Sequence, residues 1–468
     1  MLRPRPDIVL ITIDSLRADH LGCFGYGKAT SPNLDRFAGT SWSFTQAFSA
    51  GPNTPHAFPG IFASRSSLLS AKAGLLDAPV TLAEALQAGG YTTIGINAAN
   101  PYLSRYFGYD RGFTAFYDFW EPGEESSPAG RTSSAPRRAG RTLAVPRFDL
   151  RHYLVSEENI RNKAQLEENF LAFVLDKLEH LTRPFFLWVH LMDTHFPYLP
   201  EEAAQLALGA AVFSDEEKFH LNLRVRESQE TSPVTLRRIV QLYDAAIRQA
   251  DAKVGALFSF LERRDLFDPA AILVCADHGE EFMEHGDLQH KCKLYDELLH
   301  VPLFIKHPFQ KNGERSARLV SLLQLPSTVL FLAKLESAFD APGLFSDRSE
   351  EAVPLPVFAE AWYTGNHAVP SGDVLFALDR MPRIAGLRSP RWKFIRDAGS
   401  GERALFNLIS DPGETQNLWQ REPEVGACFE TLTTERLQRF DRIRVRRRVS
   451  ELRQRLFSAE DHALRLPQ

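Results

Sequence analysis

The chain has 468 residues, of which 44% are hydrophobic, 24% charged and 11% aromatic. That is enough apolar surface to bury a large core, so disordered and fibrous classes are excluded. The 54 basic and 59 acidic residues leave a formal charge of −5, which excludes a surface built throughout for nucleic acid.

In chain order, Asp7-Ile8-Val9-Leu10-Ile11-Thr12-Ile13 is a continuous apolar run rich in β-branched residues. This is the pattern of a strand buried on both faces of a mostly parallel sheet. Helix periodicity follows over Thr81 to Ala88, then a strand pattern over Thr92 to Ile96. Residues 121–147 are rich in Arg, Pro and Ser with few large apolar groups, and predict a surface loop. Lys163 to Leu181 and Leu236 to Leu261 predict helices, and Phe185 to His190, Ala271 to Ala276 and Pro302 to Lys306 predict strands. Strand and helix alternate, so the fold class is α/β with a central, mostly parallel sheet.

Beyond about Asp340 the pattern changes to short strands, at Val357 to Glu360 and Trp392 to Ile395. These predict a smaller C-terminal α+β subdomain. The tail carries Leu437, Phe440, Val445, Val449, Leu452 and Leu456 at helical spacing among arginines, a basic helix expected to pack back on its own domain. The expected division is a catalytic domain over 1–340, the subdomain over 341–428 and the helical tail over 429–468.

Cys23, Cys275, Cys292 and Cys428 show no Cys-x-x-Cys spacing, which argues against a disulfide scaffold or a zinc ribbon. No apolar signal region follows the charged start, and no window reaches about 18 uninterrupted apolar residues. The expectation is a cytoplasmic protein without a transmembrane segment.

Polar residues with chemistry in them stand at the strand ends: Asp14, then His190 with Asp193 and His195, then Asp277 with His278. In open α/β sheets the ligand crevice lies beyond the carboxyl ends of the strands, so these segments are expected to converge. Two carboxylates and one imidazole form a ligand set for a divalent cation, with manganese, magnesium or zinc preferred over an all-oxygen ion. His190, inside an apolar strand, reads as a core histidine, and Asp193 is expected to orient His195.

The stretch Ile13-Asp14-Ser15-Leu16-Arg17-Ala18-Asp19-His20-Leu21-Gly22 resembles the opening of sulfatases in the alkaline phosphatase superfamily. Asp193-Thr194-His195-Phe196-Pro197-Tyr198, Asp277-His278-Gly279-Glu280, Glu284-His285-Gly286 leading to Lys291 and Tyr295, and Val301-Pro302-Leu303 extend it in the same order. Leu405-Phe406-Asn407-Leu408 with Asp411-Pro412-Gly413-Glu414 resembles the family's closing strand and turn. The resemblance implies an alkaline-phosphatase-like fold and one divalent metal (calcium, manganese, magnesium or zinc), with a second left open.

Position by position, it implies metal ligands at Asp14, Asp277 and His278, a lysine on the anionic ester at Lys291 and a substrate-binding histidine at His195. His285, His290 and Lys293 are further candidates for the ester, a general acid or a second metal. Sulfatases open a helix with a Cys/Ser-x-Pro-x-Arg segment whose first residue is the nucleophile. Here Thr54-Pro55-His56-Ala57-Phe58 takes that place, so Thr54 is the candidate nucleophile and a metal-facing hydroxyl.

Relatives with threonine there are phosphoethanolamine and phosphoglycerol transferases. Phe58 replaces the family arginine, and Ser15 replaces the second aspartate of an Asp-Asp pair. The leading expectation is a metal-dependent hydrolase of sulfate or phosphate esters on small molecules, glycans or lipids, with no nucleic-acid partner. A phosphoryl-group transferase and a non-catalytic sulfatase-like protein are the alternatives, and oligomeric state is left open.

Overall fold

The computed structural model describes residues 5–119, 157–209, 212–227, 231–345, 356–369 and 381–463, with Ser371, Leu375 and Leu378. The expected loop over 121–147 and the last residues of the tail lie outside these. Ile8–Ile13 form β1, Pro32–Ala38 α1, Trp42–Phe48 β2, Thr54–Ala63 α2, Leu82–Ala88 α3, Thr92–Asn97 β3 and Ala115–Tyr117 β4. Glu157–Leu178 form α4, Phe185–Leu191 β5, Glu202–Ala207 α5, Asp215–Glu227 α6, Pro233–Arg263 α7 and Ala271–Ala276 β6. Glu281–Phe282 and Leu288–Gln289 make the ribbon β7–β8, followed by α8 (Asp296–Leu299), β9 (Leu303–Lys306), β10 (Glu314–Ser321) and α9 (Leu325–Leu332). The C-terminal part holds β11 (Val357–Trp362), β12 (Arg383–Arg388), β13 (Trp392–Asp397), β14 (Arg403–Asn407) and α10 (Pro423–Ala463).

The main sheet has the order β10-β2-β9-β6-β1-β5-β3-β4. Strand β1 lies between β5 and β6 and is parallel to both, and every residue of these three strands is buried. That double burial is why their sequences are unbroken apolar runs. Strand β9 is antiparallel to its neighbours β6 and β2, so the sheet is mixed. Edge strand β10 begins Glu314-Arg315 on the surface, and with no apolar run it left no strand signal.

Helix starts follow local chemistry. Thr81 and Glu84 form a reciprocal capping box at α3, and Ser232 caps α7 ahead of Pro233. Helices α4 and α7 pack with the core, and buried Phe170, Val174, Ile247, Val254 and Leu257 line their inner faces.

Strands β11 to β14 form a separate four-stranded antiparallel sheet with its own apolar cluster around Ala361, Ile384, Ile395 and Phe406. Helix α10 packs on it and starts at Pro423, ahead of the expected 429. All four cysteines are free. Among the described residues no helix is long and apolar enough to cross a membrane.

Candidate active site

Sheet register builds the site. Ile13 of β1 stands beside Ala276 of β6, so the next residues, Asp14 and Asp277, leave the sheet side by side. Thr12 pairs with His190 on β5, and His190 with Asn97 on β3; partners in register share one face of the sheet. Chemistry from four strands is therefore gathered at the carboxyl end of the sheet, where β1 has a parallel neighbour on each side.

His278 sets the centre. Its Nδ1 donates to the Gly279 carbonyl at 2.8 Å, which leaves Nε2 as a bare lone pair. That atom lies 3.5 Å from Asp14 Oδ1, 3.5 Å from Asp277 Oδ2 and 3.3 Å from Thr54 Oγ1. Thr54 opens α2 and is also 3.3 Å from Asp14 Oδ2. Asp14, Asp277 and His278 are fully buried, and their candidate donor atoms lie within 4.8 Å of one another. The structure thus brings Asp14, Thr54, Asp277 and His278 together.

A cation fits this set on the structure's own terms, because among the described residues Asp277 Oδ2 is buried without a hydrogen-bond partner. A buried carboxylate oxygen left in that state is costly. The two acids also repel each other. Burial and the Asp14 charge push Asp277 up to about 8. Asp14 feels burial as well, but the imidazoles of His195, His190 and His278 outweigh it and hold this carboxyl well below its usual range. Burial pushes His278 down to about 4 and His195 to about 3, so both rings are neutral near neutrality.

Two residues at the centre went unrecognised in the sequence. His190, expected in the core, has Nε2 3.2 Å from Asp14 Oδ2 and Nδ1 2.9 Å from Thr12 Oγ1. The indole of Trp188 donates to the same Thr12 oxygen at 2.9 Å, so the threonine proton is free to point at His190 Nδ1 and leave Nε2–H for Asp14. Asn100 donates from Nδ2 to Asp14 Oδ2 at 2.7 Å and lies 3.3 Å from Thr54 Oγ1. Its amide is fixed by Tyr102 N–H donating to Oδ1 at 3.0 Å. Asn97 and Asn100 close β3 as Asp14 closes β1, and that shared position is the signal that could have found Asn100.

His195 reaches the rim, its ring 5.0 Å from that of His290, which is 4.6 Å from His278. Asp193 binds α7: its Oδ1 accepts from Lys253 at 2.5 Å and from Gln249 at 2.9 Å. Lys163 of α4 holds the segment, donating to the His195 and Pro197 carbonyls at 2.6 Å each.

Lys291 and His285 both have acidic partners. Lys291 pairs with Asp287, and His285 binds Glu297 at 2.6 Å and the Glu414 carbonyl at 3.3 Å. Lys293 is tied to Glu281 and Asp287. His290 of this loop lies beside the centre, its ring 4.6 Å from that of His278. Phe58, where sulfatases carry arginine, is fully buried against Trp188 and the edge of His190, at 5.8 and 5.2 Å.

The sulfatase family model matches residues 6–335. Arylsulfatase K of Gallus gallus is 30% identical over 196 residues, 40% of this chain and 35% of that protein. Iduronate 2-sulfatase of Homo sapiens is 24% identical over 336 residues, 64% of this chain and 60% of that protein. The chain spans about a third of the length of the arylsulfatase K relatives it matches.

A protein solved with its substrate D-glucosamine-2-N,6-O-disulfate superposes with a TM-score of 0.69 at 16% identity, over 93% of this chain and 98% of that one. The phosphonate monoester hydrolase of Agrobacterium radiobacter gives 0.65 at 20%, over 93% and 96%. The fold is the alkaline-phosphatase-like one these structures share, with its small antiparallel C-terminal sheet, and the chain belongs to the sulfatase family.

Proposed function

We propose that this protein hydrolyses sulfate or phosphate esters, with Thr54 as the nucleophile and with Asp14, Asp277, His278 and Thr54 as the residues that hold one divalent cation. The observation that carries the reading is the bare Nε2 of His278, within 3.5 Å of Asp14 Oδ1, Asp277 Oδ2 and Thr54 Oγ1. A bound divalent metal would polarise the ester and acidify the Thr54 hydroxyl.

Thr54 is the first residue of α2, at the positive end of the helix dipole, which favours an anion. Asn100 donates toward Thr54 Oγ1, and Asp14 Oδ2 accepts the hydroxyl proton. As Oγ1 bonds the sulfur or phosphorus, the bond to the alcohol oxygen breaks, and that oxygen leaves with its electron pair and takes up, through water, the proton that Asp14 accepted. A second water then attacks the threonine ester, releasing sulfate or phosphate and returning a proton to Oγ1. The glucosamine disulfate and phosphonate monoesters of the structural neighbours bracket the substrate class as an anionic tetrahedral ester on a sugar or small alcohol.

Thr54 itself favours one second reading. A threonine ester cannot collapse to an aldehyde as a formylglycine hydrate does, so an alcohol can compete with water for the group. The test is turnover of aryl sulfate and aryl phosphate by wild type and by Thr54→Val, with acid-quenched mass spectrometry. A sulfo or phospho group on Thr54 of the wild type, and no turnover by the variant, are expected; undiminished turnover by Thr54→Val overturns the reading. A new ester of added glycerol identifies the transferase.

A further inference from the structure

Ser15 follows Asp14 with φ of 56°, in the left-handed region. A residue with a β-carbon is strained there, whereas glycine enters freely. The bend is pinned by Tyr243 of α7, whose hydroxyl donates to the Ser15 carbonyl at 2.6 Å and accepts the Arg17 N–H at 2.9 Å. In this conformation Ser15 touches both acids: its hydroxyl donates to Asp14 Oδ1 at 2.8 Å, and its N–H to Asp277 Oδ1 at 3.3 Å.

These bonds decide what each acid has left to offer. Asp277 Oδ1 accepts N–H groups from Ser15 and from His278, at 3.3 and 3.0 Å, which fill its two lone pairs; Oδ2 alone has none. Asp14 Oδ2 faces Asn100, His190 and Thr54, while Oδ1, among the described residues, accepts the Ser15 hydroxyl and keeps a lone pair on the His278 side. Each carboxylate therefore presents one oxygen, beside one imidazole nitrogen and one hydroxyl.

We infer that Ser15 is a positioning residue that sets Asp14 and Asp277 as single-oxygen donors and so makes the centre select a small borderline cation, zinc or manganese, over calcium. Calcium takes roughly six to eight oxygens, commonly with a carboxylate bound through both, whereas an imidazole among few oxygens suits zinc and its neighbours. The inference rests on the reading of this cluster as a metal centre.

Calorimetric titration of the metal-free full chain with zinc, manganese or calcium alone tests it. Wild type is expected to bind zinc or manganese at least about tenfold more tightly than calcium, and Ser15→Gly to lose about 10-fold or more of that affinity, the usual effect of removing a group that orients ligands. Because glycine suits this φ and keeps the N–H, the metal-free variant is expected to melt no lower than wild type, which separates lost ligand orientation from lost folding. Wild-type affinities in Ser15→Gly, or calcium binding as tight as zinc and manganese, overturn the inference alone. Failure of wild type to bind any of the three overturns the metal centre as well.

Discussion

The ring of His285 lies flat on that of Tyr295, with centroids 3.5 Å apart and planes 3° from parallel. The contact is a joint between the loop after β6 and the C-terminal sheet, since His285 also binds Glu297 and the carbonyl of Glu414. A histidine that the resemblance pointed toward the ester is therefore tied into the packing of the two sheets.

The joint carries a pH signature. Burial disfavours the charged ring, but the hydrogen bond and charge of Glu297, with Glu414 behind them, outweigh it and raise His285 above its ordinary value. A raised histidine contributes stability that is complete below its unfolded pKa of about 6.5 and is lost as pH rises through the folded value. Urea unfolding of wild type and His285→Gln between about pH 6 and about pH 8.5 is expected to show the wild-type advantage shrinking with rising pH. A constant or growing gap contradicts the assignment.

Replacing His190 is expected to act on the centre and not merely on the core. The ring transmits the Thr12 and Trp188 hydrogen bonds to Asp14, and groups that orient a ligand are commonly worth 10–100-fold in activity or metal affinity. His190→Gln should therefore lower kcat/KM on an aryl ester by about 10-fold or more and weaken zinc or manganese binding in parallel. A variant that loses only thermal stability would show His190 to be packing alone.

The contrast between Asp277 and His190 shows what one sequence displays. Asp14, Asp277 and His278 follow unbroken apolar runs, so they announce the carboxyl end of a buried strand. His190 lies inside such a run, and its use depends on register: only the pairing of β1 with β5 sets Thr12 and His190 beside each other. Asn100 depends likewise on β3 lying next to β5. The motif position of Lys291 was legible, but its pairing with Asp287, four residues earlier, was not. Thr54 was visible only through resemblance, because a threonine before a proline has no pattern of its own.

Lys163 is the next test, because it is a buried cation whose ammonium is spent on backbone. It binds the carbonyls of His195 and Pro197 and lies 3.3 Å from Glu167, which burial raises to about 7. Lys163→Met removes a donor from two buried carbonyls and the partner from a buried acid, a loss of about 2–4 kcal/mol. Because the carbonyls belong to the segment that carries His195, KM for an anionic ester should rise more than kcat falls. Equal loss in both would indicate that the lysine supports the fold without placing His195.

Restoring the family's arginine at position 58 is expected to destroy the protein and not improve it. Phe58 is fully buried, with ring centroids 6.0 Å from Phe62 and Tyr109, 5.8 Å from Trp188 and 5.2 Å from His190. None of these neighbours is a carboxylate, and the two nitrogens of His190 are committed to Thr12 and Asp14. A guanidinium there is desolvated without a carboxylate to pair with, so Phe58→Arg should cost more than about 4 kcal/mol. Phe58→Leu keeps an apolar side chain and is expected to cost about 1–2 kcal/mol while retaining most activity. An active, stable Phe58→Arg enzyme would mean that the aromatic packing behind His190 gives way to a cation near Asp14, and that this site works with the charge its sequence omits.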